Sequence, residues 1–357
     1  MPAEALYVHI PFCRSICYYC DFCRVIYNRE RAETYLKHLQ KQLQTYANRH
    51  FKTVYIGGGT PTALDEDLLK QLMMLLDPYC EEALEYTIEI NPETVTEEKI
   101  RLLSEHHVNR VSVGIQTFDE RLLQSVGRKH SLEDIRNCIG LLRKYHITNI
   151  SCDLLYGLPE QSVKNFLDAL KTAVALDLPH ISFYMLTIEE NSVFGKRGVR
   201  TQDEEISDEM YFQGIRYLEE NGYHQYEISN FARDEYESLH NKVYWEYRDY
   251  AAVGMGGSGK EDRIRYSNTT SFTDYFNGHY RSEEIRLSQE DVYFETVMMG
   301  LRLKKGIPID DALYSYYGEV IERLIAEGKL EYKDGTLKCT DRGYYILNDI
   351  LIEFIPD

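Results

Sequence analysis

Cys13, Cys17 and Cys20 stand at spacing C-x3-C-x2-C in the stretch HIPFCRSICYYCDFC. Thiolates are soft ligands suited to iron–sulfur clusters and zinc. Three of them are one short of a closed tetrahedral site. A [4Fe–4S] cube held by three cysteines keeps one iron open to a further ligand. An irregular loop that wraps the metal is expected to carry them. Phe12, Tyr18, Tyr19 and Phe22 would shield the metal and tune it. The alternative is a zinc knuckle. Cys17/Cys20 and Cys20/Cys23 are both C-x2-C pairs, and Cys23 would then be the fourth ligand.

A loop of this kind needs a scaffold, and the following pattern supplies one. β-branched or aromatic runs at 6–10, 53–57, 86–90, 110–115, 149–157 and 180–186 read as strands. Amphipathic helices are expected near 31–48, 65–79, 95–106, 131–146, 162–177 and 207–222. Thr96 and Ser131, each followed by acidic residues, mark helix starts, and Asn221-Gly222 marks a helix end. Strict β/α alternation predicts a parallel sheet with right-handed crossovers. Six units are too few for a closed eight-fold barrel. The expected fold is therefore α/β, an open partial (β/α)6 barrel.

In such folds chemistry gathers at the C-terminal ends of the strands. The cysteine loop follows the first strand, and Gly57-Gly58-Gly59-Thr60-Pro61-Thr62 follows the second. Glu89 and Asn91 end the third, Gln116 ends the fourth, Asp153 lies on the fifth and Tyr184 on the sixth. Residues 236–282 break the pattern, and the glycine-rich run 251–259 reads as a loop. From 287 onward the chain reads as a small, mostly helical domain ending in helix, β-wing and helix, like a winged-helix module. The expected domains are 1–235, 236–286 and 287–357.

The bulk numbers bound the function. With 43% hydrophobic and 27% charged residues the chain reads as soluble and globular. No apolar run reaches the roughly 20 residues of a membrane span. The N-terminus carries no basic stretch followed by an apolar one, so no signal peptide is expected. A net charge of −18 argues against nucleic acid as a partner. Without a secretory signal the eight cysteines do not read as a disulfide framework, and Cys80, Cys138, Cys152 and Cys339 read as core residues.

The run YVHIPFC-x3-C-x2-C resembles the radical S-adenosylmethionine superfamily, in its branch around oxygen-independent coproporphyrinogen III oxidase. The resemblance implies that Cys13, Cys17 and Cys20 hold a [4Fe–4S] cluster whose open iron chelates S-adenosylmethionine. It places Gly58, Gly59 and Thr60 on the cofactor, Tyr7 near the adenine, and Glu89 on the methionyl ammonium. It gives Gln116, Arg128 and Asp153 to ribose or carboxylate. These roles are chemically sound, since arginine pairs with a carboxylate and aspartate with vicinal hydroxyls.

A second run, HNKVYW from His240 to Trp245, resembles the H-N-x-x-Y-W segment of the heme-chaperone family HemW. That resemblance implies heme as cargo, with His240 as the candidate iron ligand, and a histidine nitrogen is an ordinary axial ligand. The alternative is a structural histidine beside a core tryptophan. Further likeness runs through RYSN (265–268) and GLRLKKGI (300–307). The glycine-rich loop reads GMGGSG and lacks a histidine that many relatives carry there.

Three readings compete: a heme chaperone, an oxygen-independent coproporphyrinogen III oxidase that decarboxylates propionates, and a related radical methylase. The oxidase branch has a longer stretch before its cysteines and a fourth cysteine where Phe22 stands here. The resemblance therefore favours the chaperone, without assigning catalytic residues or deciding whether the chain is an enzyme. It implies a cytoplasmic protein, peripheral at the membrane beside its acceptors. Those acceptors would be membrane-bound respiratory heme proteins, and the electron donor a flavodoxin or ferredoxin.

Overall fold

The computed structural model describes residues 3–355. Six strands form the central part of the sheet: β1 (Ala5–Ile10), β2 (Thr53–Gly58), β3 (Glu85–Ile90), β4 (Arg110–Gln116), β5 (Asn149–Tyr156) and β6 (His180–Met185). They are parallel and adjacent in chain order. Between them run α1 (Arg29–Leu43), α2 (Glu66–Cys80), α3 (Glu97–Glu105), α4 (Leu132–Lys144) and α5 (Val163–Ala175), and α6 (Glu204–Glu220) follows β6. The expected caps are present. Thr96 accepts from the Lys99 N–H, and Ser131 forms a capping box with Asp134. The fold is the expected α/β arrangement with an unclosed sheet.

The two faces of the sheet differ in kind. One face carries Leu6, Val8, Val54, Ile56, Ile88, Val111, Val113, Ile150, Leu154 and Ile181, all buried in one core with the helices. Burying such a side chain contributes about 1.5–3 kcal/mol. The alternating residues on the other face are mostly polar: Tyr7 and His9, Thr53 and Tyr55, Glu85 and Glu89, Arg110 and Ser112, Ser151 and Asp153, His180 and Ser182. Period-two alternation thus builds a dry outer layer and a polar lumen from the same strands.

The sheet is larger than expected, with twelve strands among the described residues. After α6 come β7 (His224–Gln225), β8 (Asn230–Ala232), a short helix α7 (Leu239–Trp245), then β9 (Tyr250–Val253), β10 (Ser258–Glu261), β11 (Ile264–Asn268) and β12 (Arg281–Arg286). The order is β12-β11-β10-β9-β1-β2-β3-β4-β5-β6-β8-β7. β9 runs parallel to β1, with Ala5 opposite Tyr250 and Val8 opposite Val253. The stretch 251–259 is therefore not a loop. Its first and last residues are strand, and the glycines turn between them, Gly254 at φ 89° and Gly256 at φ 74°.

The C-terminal part has its own core, from Val297 to Phe354. A helix (Asp311–Ala326), an antiparallel wing (Leu330–Lys333 with Thr336–Cys339) and short helices at Asp341–Tyr345 and Leu347–Ile352 follow in the expected order. Among the described residues no helix is long and apolar enough to cross a membrane.

Candidate functional site

The polar face of the sheet opens into a cavity of about 500 Å³. Its wall takes Tyr55 from β2, Glu89 from β3, Arg110, Ser112, Gly114 and Gln116 from β4, Asp153 and Leu155 from β5, and Ser182 and Tyr184 from β6. Cys13, Cys17 and Cys20 sit on the same cavity, with Gly58, Gly59, Thr60 and Arg128. Ten of the twelve residues expected at the site therefore share one enclosure.

The cysteine loop is clamped at both ends. Phe12–Cys13 and Val25–Ile26 form a short parallel pair, and the Tyr18 N–H donates to the Val126 carbonyl at 3.0 Å. Burial pushes the Cys13 thiol up to about 11, against the pull of the Thr60 hydroxyl, and also raises Cys20. Metal loading must therefore displace protons from these sulfurs. Among the described residues no three His, Cys, Asp or Glu side chains converge tightly enough for a single ion. A cube takes its thiolates on separate irons, so it suits sulfurs spread around a cavity end. Cys23 lies elsewhere, packed on the Gly256 turn, with its carbonyl accepting from His9 Nε2 at 2.7 Å. The donor set on the cavity is three sulfurs, which fits an open cluster.

The glycines after β2 serve close packing with protein neighbours. A Cβ on Gly58, at φ 111°, would stand 2.6 Å from the His9 ring. One on Gly59 would stand 2.8 Å from the Phe12 carbonyl and 3.0 Å from Cys13 Sγ. The expected ligand contact is thus joined by a second requirement, room for the cysteine loop itself.

Glu89 accepts from Tyr55 Oη at 2.8 Å and from the Gly58 N–H at 3.1 Å. Burial pushes its carboxyl up to about 7; the Tyr55 hydroxyl lowers it and Asp153 raises it. Burial also raises Asp153, although the Ser112 and Ser151 hydroxyls donate to it at 2.6 and 3.0 Å. Arg128 is buried, 3.9 Å from Glu93, and its Nε lacks a hydrogen-bond partner. A buried donor left unpaired in a cavity wall suits an incoming carboxylate. Gln116 closes β4 at φ 68°, where the register with β5 shifts. A non-glycine residue held there costs on the order of 1–3 kcal/mol, and such strain gathers at binding sites.

Tyr7 and His240 are not brought to the cavity wall. The Tyr7 ring packs on Tyr55, and its hydroxyl lies 3.1 Å from His9 Nδ1. His240 is 0% exposed, in the floor beneath the cavity. Its Nδ1 lies 2.9 Å from Thr53 Oγ1 and its Nε2 2.7 Å from Tyr244 Oη. Burial lowers its ring to about 3, so it is a neutral imidazole with both nitrogens engaged. An iron bond would have to break one of these contacts. The neighbouring Asn241 reaches the cavity instead.

Sequence reasoning missed Arg110, 2% exposed on the lumen 3.9 Å from Glu85, because it reads as an ordinary strand start. It named Phe22 as a shield for the metal, but missed the exposed apolar rim that Phe22 forms with Met185. Phe22 (65% exposed) from the cysteine loop and Met185 (55% exposed) from the end of β6 stand on the cavity mouth. Exposed apolar groups beside a cavity were a signal only once the loop and strand end met in space.

Residues 7–191 match the family model of the radical SAM superfamily. The whole chain is 34% identical to the heme chaperone HemW of Lactococcus lactis, covering 99% of this chain and 98% of that protein. The chain belongs to the HemW family of the radical SAM superfamily. HemW of Escherichia coli K12 is 32% identical, with 100% and 99% covered. Residues 287–346 match the family model of the HemN C-terminal domain. Among solved structures, coproporphyrinogen III oxidase (HemN) of Escherichia coli, a radical SAM enzyme, superposes with TM-score 0.86 at 22% identity. It covers 99% of this chain and 91% of its own, so the two share a fold end to end.

Proposed function

We propose that this HemW-family protein is a heme chaperone that carries a [4Fe–4S] cluster and S-adenosylmethionine and delivers heme to membrane-bound respiratory proteins. The reading is supported above all by the full-length likeness to heme chaperones, with three cavity cysteines in place. Cys13, Cys17 and Cys20 would hold the cluster. Glu89 would receive the ammonium of S-adenosylmethionine, Arg128 its carboxylate and Asp153 its ribose, beside Gly58, Gly59, Thr60 and Gln116. When bound, this pair supplies one-electron chemistry at the sulfonium. The chain's own contribution is to orient the carboxylate of Glu89, present the unpaired Arg128 donor and exclude bulk water. Phe22 and Met185 offer an apolar rim on which a macrocycle can lie. The partners in this reading are heme, its membrane acceptors and a flavodoxin or ferredoxin as electron donor.

Anaerobic reconstitution tests it. The protein receives iron, sulfide, S-adenosylmethionine, a reductant and coproporphyrinogen III in one arm, and hemin with an apo-acceptor in the other. A chaperone binds hemin and passes it on, with no decarboxylated porphyrinogen at enzymic rates. Steady formation of protoporphyrinogen would overturn the proposal in favour of the oxidase.

A further inference from the structure

Glu89 depends on Tyr55, which donates to it at 2.8 Å, so the ring's place sets the carboxylate's place. The Tyr55 ring packs against two others. The Tyr7 centroid is 6.1 Å away and that of His240 5.2 Å, at interplanar angles of 28° and 30°. His240 is fixed from three directions. Thr53 and Tyr244 engage its two ring nitrogens, and its backbone N–H donates to Glu85 at 2.9 Å.

The helix bearing it is anchored at both ends. Glu85 accepts from Ser238 Oγ at 3.1 Å and from the Leu239 N–H at 2.8 Å. At the far end Trp245 packs on the C-terminal core, under the Arg302 guanidinium at 5.6 Å. A strut thus runs from the C-terminal core through Tyr244 and His240 to Tyr55 and Glu89.

We infer that His240 is a positioning residue for Glu89 and not a ligand of heme iron: with Tyr244 it forms the shelf that fixes Tyr55, and through Tyr55 the carboxylate at the cavity. The inference rests on the S-adenosylmethionine role of Glu89. A heme ligand must face a cavity wide enough for a macrocycle, and His240 faces Thr53, Tyr55 and Tyr244 instead. The groups facing Glu89 are the Tyr55 hydroxyl, the Gly58 N–H and Asp153, with Tyr7 and Tyr244 also near enough to feel its charge. A loosened Tyr55 withdraws the one side-chain donor among them that lowers the Glu89 carboxyl.

The test uses the full chain with its cluster reconstituted, as wild type, His240→Gln, Tyr244→Phe and Glu89→Gln. Tyr244→Phe removes one oxygen and keeps the ring, so it reports even if His240→Gln folds poorly. S-adenosylmethionine affinity is measured across neutral pH by equilibrium dialysis, and hemin by its Soret band. His240→Gln and Tyr244→Phe should each weaken S-adenosylmethionine by roughly threefold to tenfold, the worth of one buried hydrogen bond. Each should move the pH midpoint of binding upward and leave the hemin spectrum and affinity unchanged. Unchanged S-adenosylmethionine binding and midpoint in Tyr244→Phe, with binding lost in Glu89→Gln, overturns the inference alone. A displaced Soret band or lost hemin affinity in folded His240→Gln also overturns it. If Glu89→Gln binds S-adenosylmethionine as wild type does, the role of Glu89 falls and the inference with it.

Discussion

Thr60 Oγ1 donates to the Cys13 sulfur at 3.8 Å while accepting from Asn91 Nδ2 at 3.0 Å. The end of β2 therefore reaches one of the three sulfurs through a side chain, and β3 holds that side chain in place. Hydrogen bonds to cluster sulfurs stabilise the more negative, reduced state and raise its potential. Thr60→Val keeps the volume and removes the donor. Its cluster should have a lower reduction potential, by on the order of tens of millivolts. A redox titration followed by electron paramagnetic resonance reads this, and an unchanged potential would show that the contact does not act on the loaded sulfur.

Gly59→Ala tests the packing of the same corner. The new methyl would meet the Phe12 carbonyl at 2.8 Å, the Phe12 N at 2.9 Å and Cys13 Sγ at 3.0 Å. Two of these are backbone atoms, which cannot swing aside. Overpacking of this kind costs about 1–3 kcal/mol. Urea unfolding of the unloaded protein should lose that much stability. Iron content after reconstitution should fall with it, because Cys13 moves.

The cluster assignment separates two neighbouring cysteines. Cys17 lines the cavity, whereas Cys23 packs on the Gly256 turn. Cys17→Ala should abolish the brown chromophore and bound iron, and Cys23→Ala should retain both. Loss in both variants would restore a four-cysteine site.

Much of this architecture is legible in the chain because its signals are local. The strands announce themselves by alternation, and the helices by caps such as Ser131 with Asp134, three residues apart. The cysteine loop is legible for the same reason. His240 is not, since the groups that bury it, Thr53 and Glu85, lie 187 and 155 residues away. A histidine in an aromatic segment carries the same local pattern whether it faces a ligand or a barrel floor. Tyr250–Val253 hid likewise: four residues beside a glycine run become a strand only because β1 has a free edge to pair with. Gln116 was legible as a polar strand end, but its left-handed backbone arises from the register shift against β5.

Glu89 sets how the protein responds to pH. Burial holds the carboxyl at about 7 in the unloaded protein, above the value of an exposed glutamate. Only the ionised form pairs with an ammonium. S-adenosylmethionine affinity should therefore fall as pH drops through 7, approaching about tenfold per pH unit once Glu89 is mostly protonated. Stability of the unloaded protein runs the other way. A folded-state value raised above the unfolded one means that the buried charge destabilises the protein above pH 7. That cost fades as pH falls toward the ordinary glutamate range. Tyr55→Phe removes the hydroxyl that lowers Glu89, so its binding midpoint should lie above that of wild type. Isothermal titration of the reconstituted protein with S-adenosylmethionine, at several pH values and constant ionic strength, measures the midpoint. A midpoint that stays near that of an exposed glutamate in both proteins would remove Glu89 as the ammonium's partner.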